Sequence, residues 1–326
     1  MRKRTLLAVI LAGLMGSALS AAPAHAGAAT KVWVFGLGRD SAACGALPSP
    51  CATFQQAHDN VAVGGEIGVV GGGDFGSLTV NKAVHVTSDG AGEAAILSDK
   101  AGIVVGAGTG DVVSLRGLVI DGQGAGVNGV LIAGASAVHI QNCVIRNFEA
   151  VGSDGGYGIL SIAGVSSQLF VSDTVIYNNG STAGTGGIVI RPRNCASPTV
   201  VLDRVHLENN VVGLWMDGSL GTGSSHAIVR DSAVVGNAGD GIRATSAPGK
   251  AAAFIVVERT SASGNAGTGI LADGPRATML LKDNVVTRNG IGIAAVNGGQ
   301  LISYGNNSVN NNLGPDGVPT GHYSPI

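Results

Sequence analysis

A Gly followed by a branched apolar residue recurs at near-regular spacing between residues 129 and 293: Gly129-Val130, Gly158-Ile159, Gly187-Ile188, Gly213-Leu214, Gly241-Ile242, Gly269-Ile270 and Gly292-Ile293. Successive pairs lie 29, 29, 26, 28, 28 and 23 residues apart. Ahead of each of the last six pairs runs a second unit, an Asp, Asn or Arg, a few alternating residues, then an Asn. Its copies start at Asn142, Asp173, Asp203, Asp231, Arg259 and Asp283. A unit this short cannot bury a core alone, so each copy must stack on the next, and the chain must be a solenoid.

The residue types say which solenoid. Helical repeats need helices of 10–15 residues, and Gly inside one costs about 1 kcal/mol per residue; this chain carries 54 Gly in 326 residues. No Leu lattice of the leucine-rich kind runs through it. The apolar runs are three to five residues of Val, Ile and Thr, bounded by Gly, Asn, Asp and Ser, which is the pattern of short strands between tight turns. One coil of such strands per repeat is a parallel β-helix, its coils about 4.8 Å apart. Hydrophobic residues make up 45% of the chain and charged residues 12%, enough apolar content to fill the interior of the coils and too much for disorder.

In this arrangement Asn147, Asn179, Asn209, Asn237, Asn265 and Asn289 form a ladder at one turn, since Asn tolerates left-handed backbone and its amide can bond the same amide one coil away. Asp173, Asp203, Asp231 and Asp283 share another turn position and bond local backbone amides.

The N-terminal segment Pro50-Cys51-Ala52-Thr53-Phe54-Gln55-Gln56-Ala57-His58, followed by Gly64-Gly65-Glu66-Ile67, together with the repeats, resembles the bacterial secreted right-handed parallel β-helix proteins of the pectate-lyase-like superfamily. The resemblance implies an all-β, right-handed, single-stranded parallel β-helix with a short N-terminal capping helix. The residues point the same way: Phe54, Ala57, His58 and Val61 fall on one helical face, placed to cover the strand edges of the first coil. The expected layout is a signal peptide over 1–26 and one domain over 27–326, with the cap at about 40–62, coils at about 63–312 and an irregular tail.

Arg2, Lys3 and Arg4, the apolar run Leu6–Leu19 and the small-x-small site Ala24-His25-Ala26 make up a secretory leader cleaved after Ala26, so the protein is expected to be secreted or periplasmic, with no membrane span after cleavage. Taking Arg2, Lys3 and Arg4 from the 19 basic residues leaves 16 against 21 acidic ones, a net charge of −5 with His neutral. That scattered acidity offers no basic footprint for nucleic acid. In an oxidising compartment Cys44 and Cys51 are expected to form a disulfide. Cys143 falls at an inward strand position as a buried thiol, with pairing to Cys195 left open. No Cys/His metal spacing appears, and no metal or cofactor is expected.

Alternation along the strand after each Gly-apolar pair sets two outward columns. One reads Leu131, Leu160, Val189, Trp215, Arg243, Leu271 and Ala294; the other reads Ala133, Ile162, Arg191, Asp217, Thr245, Asp273 and Val296. The early coils thus carry an apolar outer face, to be covered by Tyr157, by the 191–197 excursion or by a second copy. The middle coils gather Arg191, Arg193, Trp215, Asp217, Arg243 and Asp273 as carbohydrate-binding candidates: a Trp face for a sugar ring and Arg forks for uronate carboxylates. Asp217 and Asp273 fall two coils apart, about 9.6 Å, against roughly 6.5–9.5 Å in inverting glycosidases. His206 and His226 are placed near this cluster as further acid–base candidates. The Asn-Thr-Asp, Asp-Asp, His-Gly and Arg-Ile-Lys motifs of the polygalacturonase-like members are missing. Two functions remain. One is a surface protein that interacts with a polysaccharide or cell-surface glycan without catalysis. The other is a carbohydrate-active enzyme: a polysaccharide lyase, glycoside hydrolase or epimerase.

Overall fold

The computed structural model describes residues 29–152 and 155–324; the expected leader, 1–26, lies outside them. The chain winds as a parallel β-solenoid of three sheets with twelve, nine and ten strands, here called A, B and C. Each coil runs from a strand of A through a short strand of C to a strand of B. The Gly-apolar pairs open the strands of B, and their register is the one the spacing predicts: Val130 pairs with Ile159, Ile159 with Ile188, Ile188 with Leu214, Leu214 with Ile242, Ile242 with Ile270 and Ile270 with Ile293. All seven side chains are buried in the core.

Two corners explain the second unit. Between A and C the chain turns through left-handed backbone at Gly117, Asn142, Asp173, Arg204, Asp231, Arg259 and Asp283, with φ of 45–71°. The Asp column therefore holds Arg204 in place of Asp203, which pairs one step earlier with Ser172. Asp173, Arg204, Asp231 and Arg259 carry ion pairs between adjacent coils rather than local amide bonds, and Asp283 accepts from the Asn306 side-chain amide. Arg204 holds both oxygens of Asp173, and Arg259 holds both oxygens of Asp231. Hydrogen bonds from those guanidinium groups keep both carboxyls below the usual carboxylate range.

After C the chain turns again through left-handed residues, Asn147, Asn178, Asn209, Gly236, Gly264, Arg288 and Asn311, with φ of 52–67°. The buried ladder is the next residue inward: Asn179, Asn210, Asn237, Asn265 and Asn289, ending on the more exposed Asn312. Amides pair directly from Asn179 to Asn210 (2.9 Å), Asn237 to Asn265 (2.7 Å), Asn265 to Asn289 (2.8 Å) and Asn289 to Asn312 (3.0 Å). Asn147 and Asn209 thus belong to the left-handed column, and Phe148 takes the ladder position one coil above Asn179, whose Oδ1 accepts from the Phe148 N–H. Left-handed tolerance and amide pairing are both present, on adjacent residues.

The cap is built as expected. Helix α1 spans Phe54–Asn60, its N-cap Thr53 accepting from Gln56 N–H (3.2 Å). Phe54, Ala57, His58 and Val61 are all buried, with Phe54 against Phe75 at 4.8 Å between rings. The solenoid begins earlier than the cap, because Ala29–Val34 pairs with Val61–Val69. The C-terminal tail adds one more strand, Gly321–His322, beside Gln300–Ser303. Cys44 and Cys51 form the disulfide. Cys143 is a buried free thiol and Cys195 an exposed one, so they do not pair. Burial pushes the Cys143 thiol up to about 11, which leaves it without nucleophilic character. No helix among the described residues is long and apolar enough to cross a membrane.

His58 sits under the cap, 1% exposed, its Nδ1 3.5 Å from the Asp59 carboxylate and its Nε2 without a partner among the described residues. Burial, then the nearby Lys82 cation, lowers its pKa, so the folded cap prefers the neutral ring. Stability from this site is full above the unfolded value near 6.5 and falls as pH drops below it, by at most about 1.4 kcal/mol per pH unit until the folded value is reached. Denaturant unfolding at about pH 7 and about pH 5 is expected to show a smaller acid loss in His58→Leu than in the parent; equal losses would place the titration elsewhere.

Candidate functional site

The outer face of sheet B carries both outward columns, in the order alternation predicts: Val189 pairs with Trp215 and Trp215 with Arg243, while Asp217 pairs with Thr245 and Thr245 with Asp273. Its early part is covered from within the chain. Tyr157 lies over Leu160 and Val189 as a second hydrophobic cluster, with Leu131, Ile162 and Trp215 packed against it. Tyr157 is 1% exposed and Val189 0%; Ala133 remains exposed.

Beyond that cover, Arg191, Trp215, Asp217, Arg243 and Asp273 come together. Arg191 Nε donates to Asp217 Oδ2 (2.7 Å), and its Nη1 reaches the Tyr157 hydroxyl (3.5 Å). Burial opposes the charge on Arg191, but these two bonds outweigh it and hold its pKa above the ordinary value. Asp217 is 3% exposed and also accepts from Ser219 N–H (3.0 Å). Arg243 bonds Asp273 (3.3 Å) and lies 3.7 Å from Asp240. The Trp215 ring, partly exposed, stands between the two guanidinium groups, 5.3 Å from Arg191 and 5.1 Å from Arg243, while its indole N–H donates to Thr245 Oγ1 (2.9 Å).

This corrects two expectations. Trp215 does not present a bare face, since each guanidinium claims part of its π-surface. Asp217 is buried and paired with Arg191, and Asp273 is paired with Arg243, so the two are not the pair of open carboxylates that the spacing suggested. Tyr157, expected only as a cover for the apolar face, and Asp240 and Thr245 complete the cluster; Asp240 lies outside the columns and Thr245 carries no charge. Arg193 is exposed and enters no ion pair among the described residues. The two histidines fall elsewhere: His206 on sheet C beside Glu208 (3.0 Å), and His226 on sheet A beside Ser224 (3.1 Å).

Three parallel sheets wound coil by coil around one apolar interior, with a polar ladder at a fixed corner, define a β-solenoid protein. Residues 101–314 match the right-handed β-helix region family, and the chain belongs to that family. Among solved structures it is similar to pectate lyase Pel9A, at 16% identity and a TM-score of 0.54, over 89% of this chain and 78% of that one. It is also similar to the GH136 lacto-N-biosidase from Eubacterium ramulus, at 13% identity and a TM-score of 0.46, over 89% of this chain and 67% of that one. No curated protein matches the sequence. At these identities the likeness is one of fold.

Proposed function

We propose that the protein is an exported solenoid that holds a polysaccharide or cell-surface glycan against the outer face of sheet B without cleaving it. The observation that carries this reading is the use of the carboxylates in the cluster: Asp217 and Asp273 are each spent on a guanidinium, which suits a fixed binding surface and leaves no free acid–base pair. The exposed part of Trp215 and the unpaired Arg193 are the groups offered to a sugar. The Cys44–Cys51 disulfide fits an oxidising compartment. The second reading, a polysaccharide lyase, has the fold shared with pectate lyase Pel9A behind it.

A glycan-array screen run beside reducing-end and unsaturated-uronate assays separates the two, binding without product being the expected result. Trp215→Ala is expected to weaken binding at least about tenfold, while the fold survives a loss of about 1–2 kcal/mol from the two cation–π contacts. Unchanged binding by that variant would move the site off this face.

A further inference from the structure

The outer face of sheet A carries a pattern that the glycan reading does not use. Six strands, from Gln168–Ser172 to Gln300–Ser303, stack residue for residue and expose three columns. The middle column is apolar throughout, Phe170, Val201, Ile228, Val256, Leu280 and Ile302, with Ile228 40% exposed. No helix or strand of the described chain is laid across it. The column on one side reads Gln168, Thr199, His226, Phe254, Thr278 and Gln300, so Gln and Thr match end to end while His226 and Phe254 stand at its centre, rings 5.6 Å apart. The column on the other side alternates in sign: Asp203, Arg230, Glu258, Lys282.

All three columns share one midpoint, between strands Ser224–Arg230 and Ala252–Glu258. A two-fold axis there, parallel to the strands, carries Gln168 onto Gln300 and Thr199 onto Thr278, and brings Ile228 against Val256. It also sets Asp203 opposite Lys282 and Arg230 opposite Glu258. An alternating ladder with an even number of members becomes its own complement when reversed, which is the condition for an isologous contact. The ladder is electrically neutral, so it does not favour a polyanion or a polycation. The His139 and Phe170 rings stack on each other at 4.7 Å, which takes up one face of each ring.

We propose that this face binds a second copy of the chain, solenoid axes antiparallel, with the apolar columns in contact and, along one rim, charges that already pair within each copy (Asp203 with Arg204 and Arg230, Glu258 with Arg259 and Lys282) facing opposite charges of the other copy. Six strands at about 4.8 Å spacing and a width of about five residues give roughly 500 Å² per copy, or roughly 1,000 Å² in all, the lower bound for a specific interface.

Sedimentation of the natively purified protein from about 1 to about 100 μM is the test. A monomer–dimer equilibrium is expected, with Ile228→Glu monomeric throughout and still folded by circular dichroism. Val201→Lys serves the same purpose if Ile228→Glu fails to fold. Arg230→Glu is expected to weaken association at least about tenfold, because it sets two like-charge pairs across the axis. Arg230→Glu combined with Glu258→Arg is expected to restore it, since the pairs across the axis are again opposite although the alternation within each copy is lost. A parent protein monomeric at every concentration, a dimer indifferent to Ile228→Glu, or a double variant no tighter than Arg230→Glu would each overturn the proposal.

Discussion

Asn210→Leu is expected to unfold the middle of the solenoid under conditions where Asn209→Gly leaves it intact. The two residues are neighbours in sequence and do opposite work. Asn210 is 1% exposed. Its amide donates to Ile176 O (2.9 Å) and accepts from both the backbone N–H (3.1 Å) and the side-chain amide (2.9 Å) of Asn179. Leu fills a similar volume and meets none of these groups. Each buried donor or acceptor left without a partner costs about 1–3 kcal/mol, so a total of about 3–5 kcal/mol is expected. In a solenoid that loss falls on one coil and its two neighbours, and it shows in urea unfolding as a lower midpoint with an early phase. Asn209 needs only its left-handed backbone, φ 52°. Gly already occupies the same column at Gly236 and Gly264, so Asn209→Gly is expected within about 0.5 kcal/mol of the parent. Equal effects of the two substitutions would contradict the assignment of the buried ladder.

The period, the register of sheet B and the capping helix were legible because each rests on strict local geometry. A one-residue slip would turn every apolar side chain outward, so Gly-Ile pairs fix the inside of the coil wherever they occur. The two Asn columns were not separable by inspection. The unit beginning at Asp203 has one residue more than the unit beginning at Asp173, and only the backbone shows that Arg204 aligns with Asp173. The charge alternation was present in the sequence as Asp203-Arg204, Arg230-Asp231, Glu258-Arg259 and Lys282-Asp283, and it becomes visible once those dipeptides are set in register. What covers a face is different in kind. Tyr157 over Leu160 and Val189, and the guanidinium groups beside Trp215, depend on where long side chains lean between coils, and alternation says nothing about that. Five of the six site candidates were brought to one face by arithmetic that is sound for strands, whereas their availability to a ligand depended on partners that arithmetic does not see.

Gly213→Ala is expected to be strongly damaging, and Gly106→Ala to be harmless. A Cβ at Gly213 would stand 2.5 Å from Gly241 O and 2.6 Å from Val234 Cγ1. That carbonyl accepts the Leu214 N–H at 2.9 Å, so it cannot move away without breaking the bond that joins two coils. The same approach recurs along the column: a Cβ at Gly129, Gly158, Gly187 or Gly241 would meet the carbonyl of the next Gly at 2.5–2.7 Å. From Gly158 onward the ladder amides lie at 2.7–3.2 Å from the same positions. The recurring Gly is therefore the partner of the recurring Asn, because the corner that holds the buried amides has no room for a methyl group. Gly106 has neither left-handed backbone nor any atom within 4 Å of its Cβ position. Ala there removes freedom from the unfolded chain only, a gain of up to about 1 kcal/mol. Against it, Gly213→Ala is expected to lose more than about 3 kcal/mol or to fail to accumulate as folded protein. Thermal melting of the two variants side by side checks both. If Gly213→Ala melts with the parent, the coils at that corner are further apart than the amide ladder allows, and the Gly-Ile repeat would have to be explained by something other than close packing between coils.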